Sequence, residues 1–173
     1  MVNSKKTLIN IRNKKHNMTP NEELYQTIMK DEGFSSAPYL CPSNVPTIGY
    51  GNTFYPSGAK VTMRDKPITQ ATAYWMLKQV VNMFGRDVDS LVTSNINQNQ
   101  YNALVSFAYN VGSDIDQDNI PEGLGDSTLL KKVNANPNDP SIAKEFAKWN
   151  KSRGKVNNGL IKRRKREADL YFK

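Results

Sequence analysis

Between Phe34 and Met63 the chain places Pro38, Pro42, Pro46, Gly49, Gly51, Pro56 and Gly58, a density of breakers that no α-helix tolerates. The same stretch holds Val45, Thr47 to Tyr50 and Val61 to Met63, residue types that suit short strands. The segment therefore predicts a small antiparallel sheet of two or three strands. A chain that carries such a sheet among helical patterns is constrained to an α+β architecture, with a small β-sheet lobe, a larger helical lobe and a cleft between them.

The flanks read as helix. Thr19 as N-cap, Pro20 at the first helical position and Glu22 closing a capping box predict a start, and Leu24, Tyr25, Ile28 and Met29 recur at helical spacing. Gly33 is the natural stop, which puts Glu32 in the last turn. Beyond the sheet, residues 68–84 predict a helix with Ala71, Trp75, Leu77, Val80 and Val81 along one side, and 97–112 another that ends at Gly112. Shorter helices are expected at about 126–133 and 141–150, and a basic terminal one at about 157–172. Trp75 and Trp149 read as core anchors rather than sugar platforms. The domain is expected to run over 19–173, with 1–18 as a flexible basic tail whose apolar segment, TLINI, is too short for a signal-peptide core.

Residue scarcity narrows the chemistry. The chain has one histidine, His16, in that tail, and one cysteine, Cys41. Zinc hydrolysis needs several His or Cys ligands, and Ser or Cys nucleophiles usually need a histidine base, so neither is expected, and protons fall to carboxylates. The acidic loop 114–126 lacks EF-hand spacing, so no calcium site is expected there. A net charge of +8 implies affinity for polyanions without choosing among them.

Glu32 is the carboxylate best placed for such work. The negative pole of its helix disfavours the ionised form, and burial against a second lobe would add to that. An acid still protonated near neutral pH can protonate a glycosidic oxygen; equally, a glutamate at a helix end can be an ordinary solvated residue. The strand and turn Thr47-Ile48-Gly49-Tyr50-Gly51-Asn52-Thr53 removes side chains at two positions, which either lets an extended substrate approach the backbone or simply makes a hairpin.

EG-(x13)-TIGYGNT resembles the signature of the phage-type lysozymes, glycoside hydrolase family 24. The resemblance continues through PITQATAYWML, QNQYNALVSFAYNVG, STLLKKVN and EFAKWNKSRGKVNNGLIKRRKREADLYF, in the family's order and over nearly the whole chain after Met18. It implies a catalytic set of Glu32, Cys41 and Thr47: a general acid, a residue that is commonly Asp, and a hydroxyl that orients water. A thiol at the second position departs from the pattern. A thiolate there would need a lysine, an arginine or backbone N–H groups to stabilise it; alternatively Cys41 is a neutral spacer. Asn52 stands where the family commonly has His. Gly49, Gly51, Thr53, Tyr109 and Thr128 fall where relatives contact glycan, although Tyr109 could equally be core packing.

The resemblance implies an endolysin: a muramidase that hydrolyses the β-1,4 bond between N-acetylmuramic acid and N-acetylglucosamine in bacterial peptidoglycan, as a monomer and without metal or organic cofactor. Synthesis in the host cytoplasm and action on the wall after release by a separate protein are expected with it. The run Lys162 to Arg166 is expected to be a solvated helix face that also attracts anionic envelope polymers. Two rivals remain at the level of sequence. One is a wall-binding module that kept the cleft and lost turnover through Cys41. The other, a nucleic-acid binder, is suggested by charge alone and lacks a recognition helix or an aromatic and basic surface.

Overall fold

The computed structural model describes residues 18–116 and 122–173; all but the last residue of the expected basic tail lies outside them. Six helices and two small hairpins follow in the order α1 (Glu22–Glu32), β1 (Ser35–Leu40), β2 (Pro46–Gly49), α2 (Gln70–Leu91), α3 (Gln98–Val111), α4 (Thr128–Ala135), α5 (Ile142–Ala147), β3 (Lys151–Ser152), β4 (Lys155–Val156) and α6 (Asn158–Tyr171). Among the described residues, no helix is long and apolar enough to cross a membrane.

α1 starts later than the Thr19-Pro20 signal implies. The N-cap is Asn21, whose side chain accepts from the Leu24 N–H at 3.1 Å. Pro20 instead packs on α2: a Cβ at Gly85 would lie 3.2 Å from its ring. Leu24, Tyr25 and Ile28 are buried. Gly33, at φ 69°, ends the helix and donates its N–H to the Met29 carbonyl.

The small lobe differs from the expected one in its strands. Ser35–Leu40, which is not among the expected strand segments, forms β1 and pairs antiparallel with β2, Tyr39 opposite Thr47 and Leu40 opposite Pro46. Val61 to Met63 forms no strand, although the Val61 N–H reaches the Thr53 carbonyl and holds that segment against the glycine turn. The lobe's own core is Ile48 and Val61, closed from below by Met76 of α2.

α2 therefore serves both lobes, and it runs seven residues past the expected end at 84. Its buried stripe is Ala73, Met76, Leu77, Val80, Val81, Gly85, Val88 and Leu91. Ala71 and Trp75 lie off that stripe; Trp75 is 55% exposed and is no core anchor. Trp149 is one, set edge-on to Phe107 at 5.4 Å.

α3 is the axis of the large lobe. A capping box between Asn97 and Gln100 starts it, and residues 100–108 are buried on every side, the pattern of a helix enclosed by others. α2 and α6 pack along it, and α5 packs on α6. α5 ends at Ala147, three residues before the expected end, because the chain turns into the β3–β4 hairpin, which sequence patterning did not signal. α4 sits two residues later than expected, started by the Ser127 cap.

Candidate active site

Glu32 leaves the last turn of α1 beside the glycine turn that follows β2. Gly51 there has φ 79°, and a Cβ on it would stand 3.0 Å from Glu32 Oε2, so the turn's conformation and its approach to the carboxylate both favour glycine. The other oxygen, Oε1, accepts from Arg163 Nη1 at 2.8 Å. A quarter of the Glu32 side chain remains exposed. It opens into a cavity of about 340 Å³ whose walls include Gly51, Thr53, Phe54, Phe84 and Tyr109.

Arg163 escaped the sequence reading. It belongs to the Lys162 to Arg166 run, which is not the solvated face expected of it. Arg163 and Arg164 are buried against Glu167, and Arg164 also donates to Asn110. Burial works against the Arg163 charge, but Glu167, Glu32 and Asp31 more than offset it and hold the guanidinium above its ordinary value. Lys165 pairs with Asp169 and Arg166 with Asp31. The spacing that could have revealed this is Arg163 to Glu167, four apart on a helix whose apolar residues alone cannot fill its buried face.

Cys41 opens the turn between β1 and β2; neither it nor Thr47 is among the residues that wall the Glu32 cavity. Its N–H donates to the Val45 carbonyl at 3.1 Å, and its carbonyl accepts from the Asn44 N–H at 2.8 Å, with Asn44 at φ 63°. The Val45 N–H above all holds the thiol below its ordinary value, against a smaller desolvation effect; the Ser43 N–H and the Thr47 hydroxyl contribute in the same direction. The stabilising groups are thus backbone N–H groups and one hydroxyl, and no lysine or arginine is among them. Thr47 is buried, with its Oγ1 donating to the Val45 carbonyl at 2.9 Å. Its single proton can turn either to that carbonyl or to the sulfur. The Arg153 guanidinium, at the tip of the β3–β4 hairpin, donates to the Pro42 carbonyl and ties the large lobe to this turn.

The remaining expected residues divide. Gly51, Thr53 and Tyr109 line the Glu32 cavity. Tyr109 is also structural: its hydroxyl donates to the Tyr50 carbonyl at 3.1 Å, and its ring meets Phe84 edge-on at 5.6 Å. Gly49 does not face the cavity. At φ 67°, its Cβ position is 3.1 Å from Ala73, so it allows β2 to lie on α2. Thr128 is exposed at the first position of α4 and is absent from the cavity wall. Asn52 is buried, and neither of its side-chain polar atoms has a protein partner.

Two other features fail to compete with this site. A larger hollow of about 710 Å³ lies between Met18 to Pro20 and α2, but it shares no residue with the Glu32 cavity and presents no acid against an open glycine backbone. Carboxylate oxygens of Asp114, Asp116 and Asp126 lie within 4.8 Å of one another. Asp114 Oδ2 is already committed to the N–H groups of Glu122, Gly123 and Asp126, so it builds the loop.

The family described as Phage lysozyme matches residues 29–167. The endolysin of Bacillus phage B103 is 43% identical over 126 residues, 73% of this chain; the matched part is 43% of that protein, so the chain spans less than half of this relative's length. An endolysin from Escherichia coli O157:H7 phage FAHEc1 superposes with a TM-score of 0.76 at 33% identity, covering 90% of this chain and 94% of that one. The muramidase domain of SpmX from Asticaccaulis excentricus does so at 0.69 and 29% identity, over 88% and 97% of the two chains.

Proposed function

The chain belongs to the phage lysozyme family, and on that premise we propose that it is a peptidoglycan-lytic endolysin, a muramidase cleaving the β-1,4 bond from N-acetylmuramic acid to N-acetylglucosamine. The observation that carries this reading is the pairing of Glu32 with a side-chain-free wall at Gly51; a thiol that the β1–β2 turn holds toward its anionic form supports it. Similarity to a structure described as a muramidase domain supports the choice of bond.

In this mechanism Arg163 fixes Oε1 of Glu32, and Oε2, on the Gly51 side, carries the proton to the glycosidic oxygen. Positive charge develops on the sugar as the bond breaks. The Cys41 thiolate stabilises that charge and accepts a proton from the attacking water, which Thr47 of β2 orients. No step needs a metal. The enzyme acts as a monomer on the wall after release. Attraction to anionic envelope polymers would rest on the exposed Lys151, Lys155 and Lys162 rather than on the buried arginines of α6.

The bond is tested by digesting purified sacculi, reducing the products with borohydride and identifying the reduced sugar. N-acetylmuramitol at the new ends is expected. N-acetylglucosaminitol would assign the cut to the other linkage and overturn the muramidase reading.

A further inference from the structure

Neither motif nor composition singles out Tyr39, but the fold brings it to the reacting centre. It stands opposite Thr47 in the β1–β2 ladder, and directly opposed residues of an antiparallel pair project to one face. Cys41 follows two positions later, and its N–H bond to the Val45 carbonyl continues the ladder, so strand alternation returns it to that face as well. The pairing slips between Ser35 and Tyr39, across Pro38, which has no N–H to give. Irregularities of this kind re-aim the side chain that follows.

The phenol placed there is uncommitted. Tyr39 is 37% exposed, and among the described residues its hydroxyl has no hydrogen-bond partner. Tyr109, on the other wall, spends its proton on the Tyr50 carbonyl. Burial pushes the Tyr39 phenol above 10.0, and the negative charges of Glu32 and then Cys41 add to this. The group accordingly keeps its proton at neutral pH, within the electrostatic reach of both acid and thiol.

We propose that Tyr39 is a further substrate-contacting residue, its hydroxyl donating to an oxygen of the saccharide held between Glu32 and the Cys41 turn. The assignment rests on the muramidase reading and adds a neutral donor beside the three expected reacting groups, an acid, a thiol and a hydroxyl already engaged by backbone.

The test measures binding of a tetrasaccharide of alternating N-acetylglucosamine and N-acetylmuramic acid by calorimetry, in the Glu32→Gln background so that nothing is hydrolysed. Adding Tyr39→Phe keeps the ring and removes only the hydroxyl. The expected result is a three- to tenfold rise in Kd, the order of about one neutral hydrogen bond, with Tm unchanged. A purely structural role would not move Kd, because the ring remains. A Kd within twofold of the Glu32→Gln protein overturns the role of Tyr39, while release of reducing ends by the wild type keeps the muramidase reading standing. Absence of tetrasaccharide binding to either protein overturns both.

Discussion

A thiol where a carboxylate is more usual needs local stabilisation of its charge, and the turn after Cys41 supplies it from its own backbone. The requirement is legible in the sequence, since the one histidine falls in the expected N-terminal tail, but the donors follow only from the fold, in which Asn44 is left-handed and the Ser43 and Val45 N–H groups meet the sulfur. The expected consequence is a pH profile for Cys41 alkylation with its midpoint below that of an unperturbed cysteine measured alongside it. The sign follows from the lowered value: the reactive thiolate is populated at lower pH than in a free cysteine. Thr47→Val removes one donor and should move the midpoint upward. Alkylation with the midpoint of an unperturbed thiol would contradict this account. Arg163 is obscure for a different reason: within a run of five cations the composition does not say which of them points inward, and the one cue is the spacing of Arg163 to Glu167.

Elements are legible in the sequence where a local signal decides their ends and obscure where a tertiary contact overrides it. Gly33 and Gly112 ended their helices as expected. At the start of α1 the expected cap is Thr19, but the contact of Pro20 with α2 at Gly85 draws that residue out of the helix and leaves Asn21 as the cap. Asn21→Ala is therefore expected to cost about 1 kcal/mol of stability. Thr19→Ala should change it by less than about 0.5 kcal/mol. Equal losses in urea titrations of the two variants would return the cap to Thr19. Trp75 was misplaced because α2 spans both lobes. Its inward stripe is fixed at one end by the sheet core through Met76 and at the other by Val88 and Leu91, which a reading that ended at 84 did not include.

At the scale of the whole molecule, the sequence disclosed the lobes and their order but not the contacts that close the cleft. Arg163 reaches Glu32 across 131 positions and Arg153 reaches Pro42 across 111, separations over which local patterning carries no information. Packing of the large lobe has its own pH signature. Burial pushes the phenols of Tyr101, Tyr109 and Tyr171 above 10.0, so the folded state keeps protons that the unfolded chain has already lost. Their contribution is fully present below pH 10 and is lost as pH rises through the higher folded values. Urea midpoints should thus hold to about pH 10 and then fall; a midpoint flat to pH 12 would contradict burial of these groups. The central claim is that Glu32 acts as the acid and that the thiol substitutes for a carboxylate. It is tested most directly by release of reducing ends from purified sacculi by the wild type, Glu32→Gln and Cys41→Asp, each with a native circular dichroism spectrum. The account predicts turnover by the wild type, a loss of about a hundredfold or more in Glu32→Gln, and retained turnover in Cys41→Asp. Undiminished release by Glu32→Gln, or a wild type that binds sacculi and releases nothing, would contradict it.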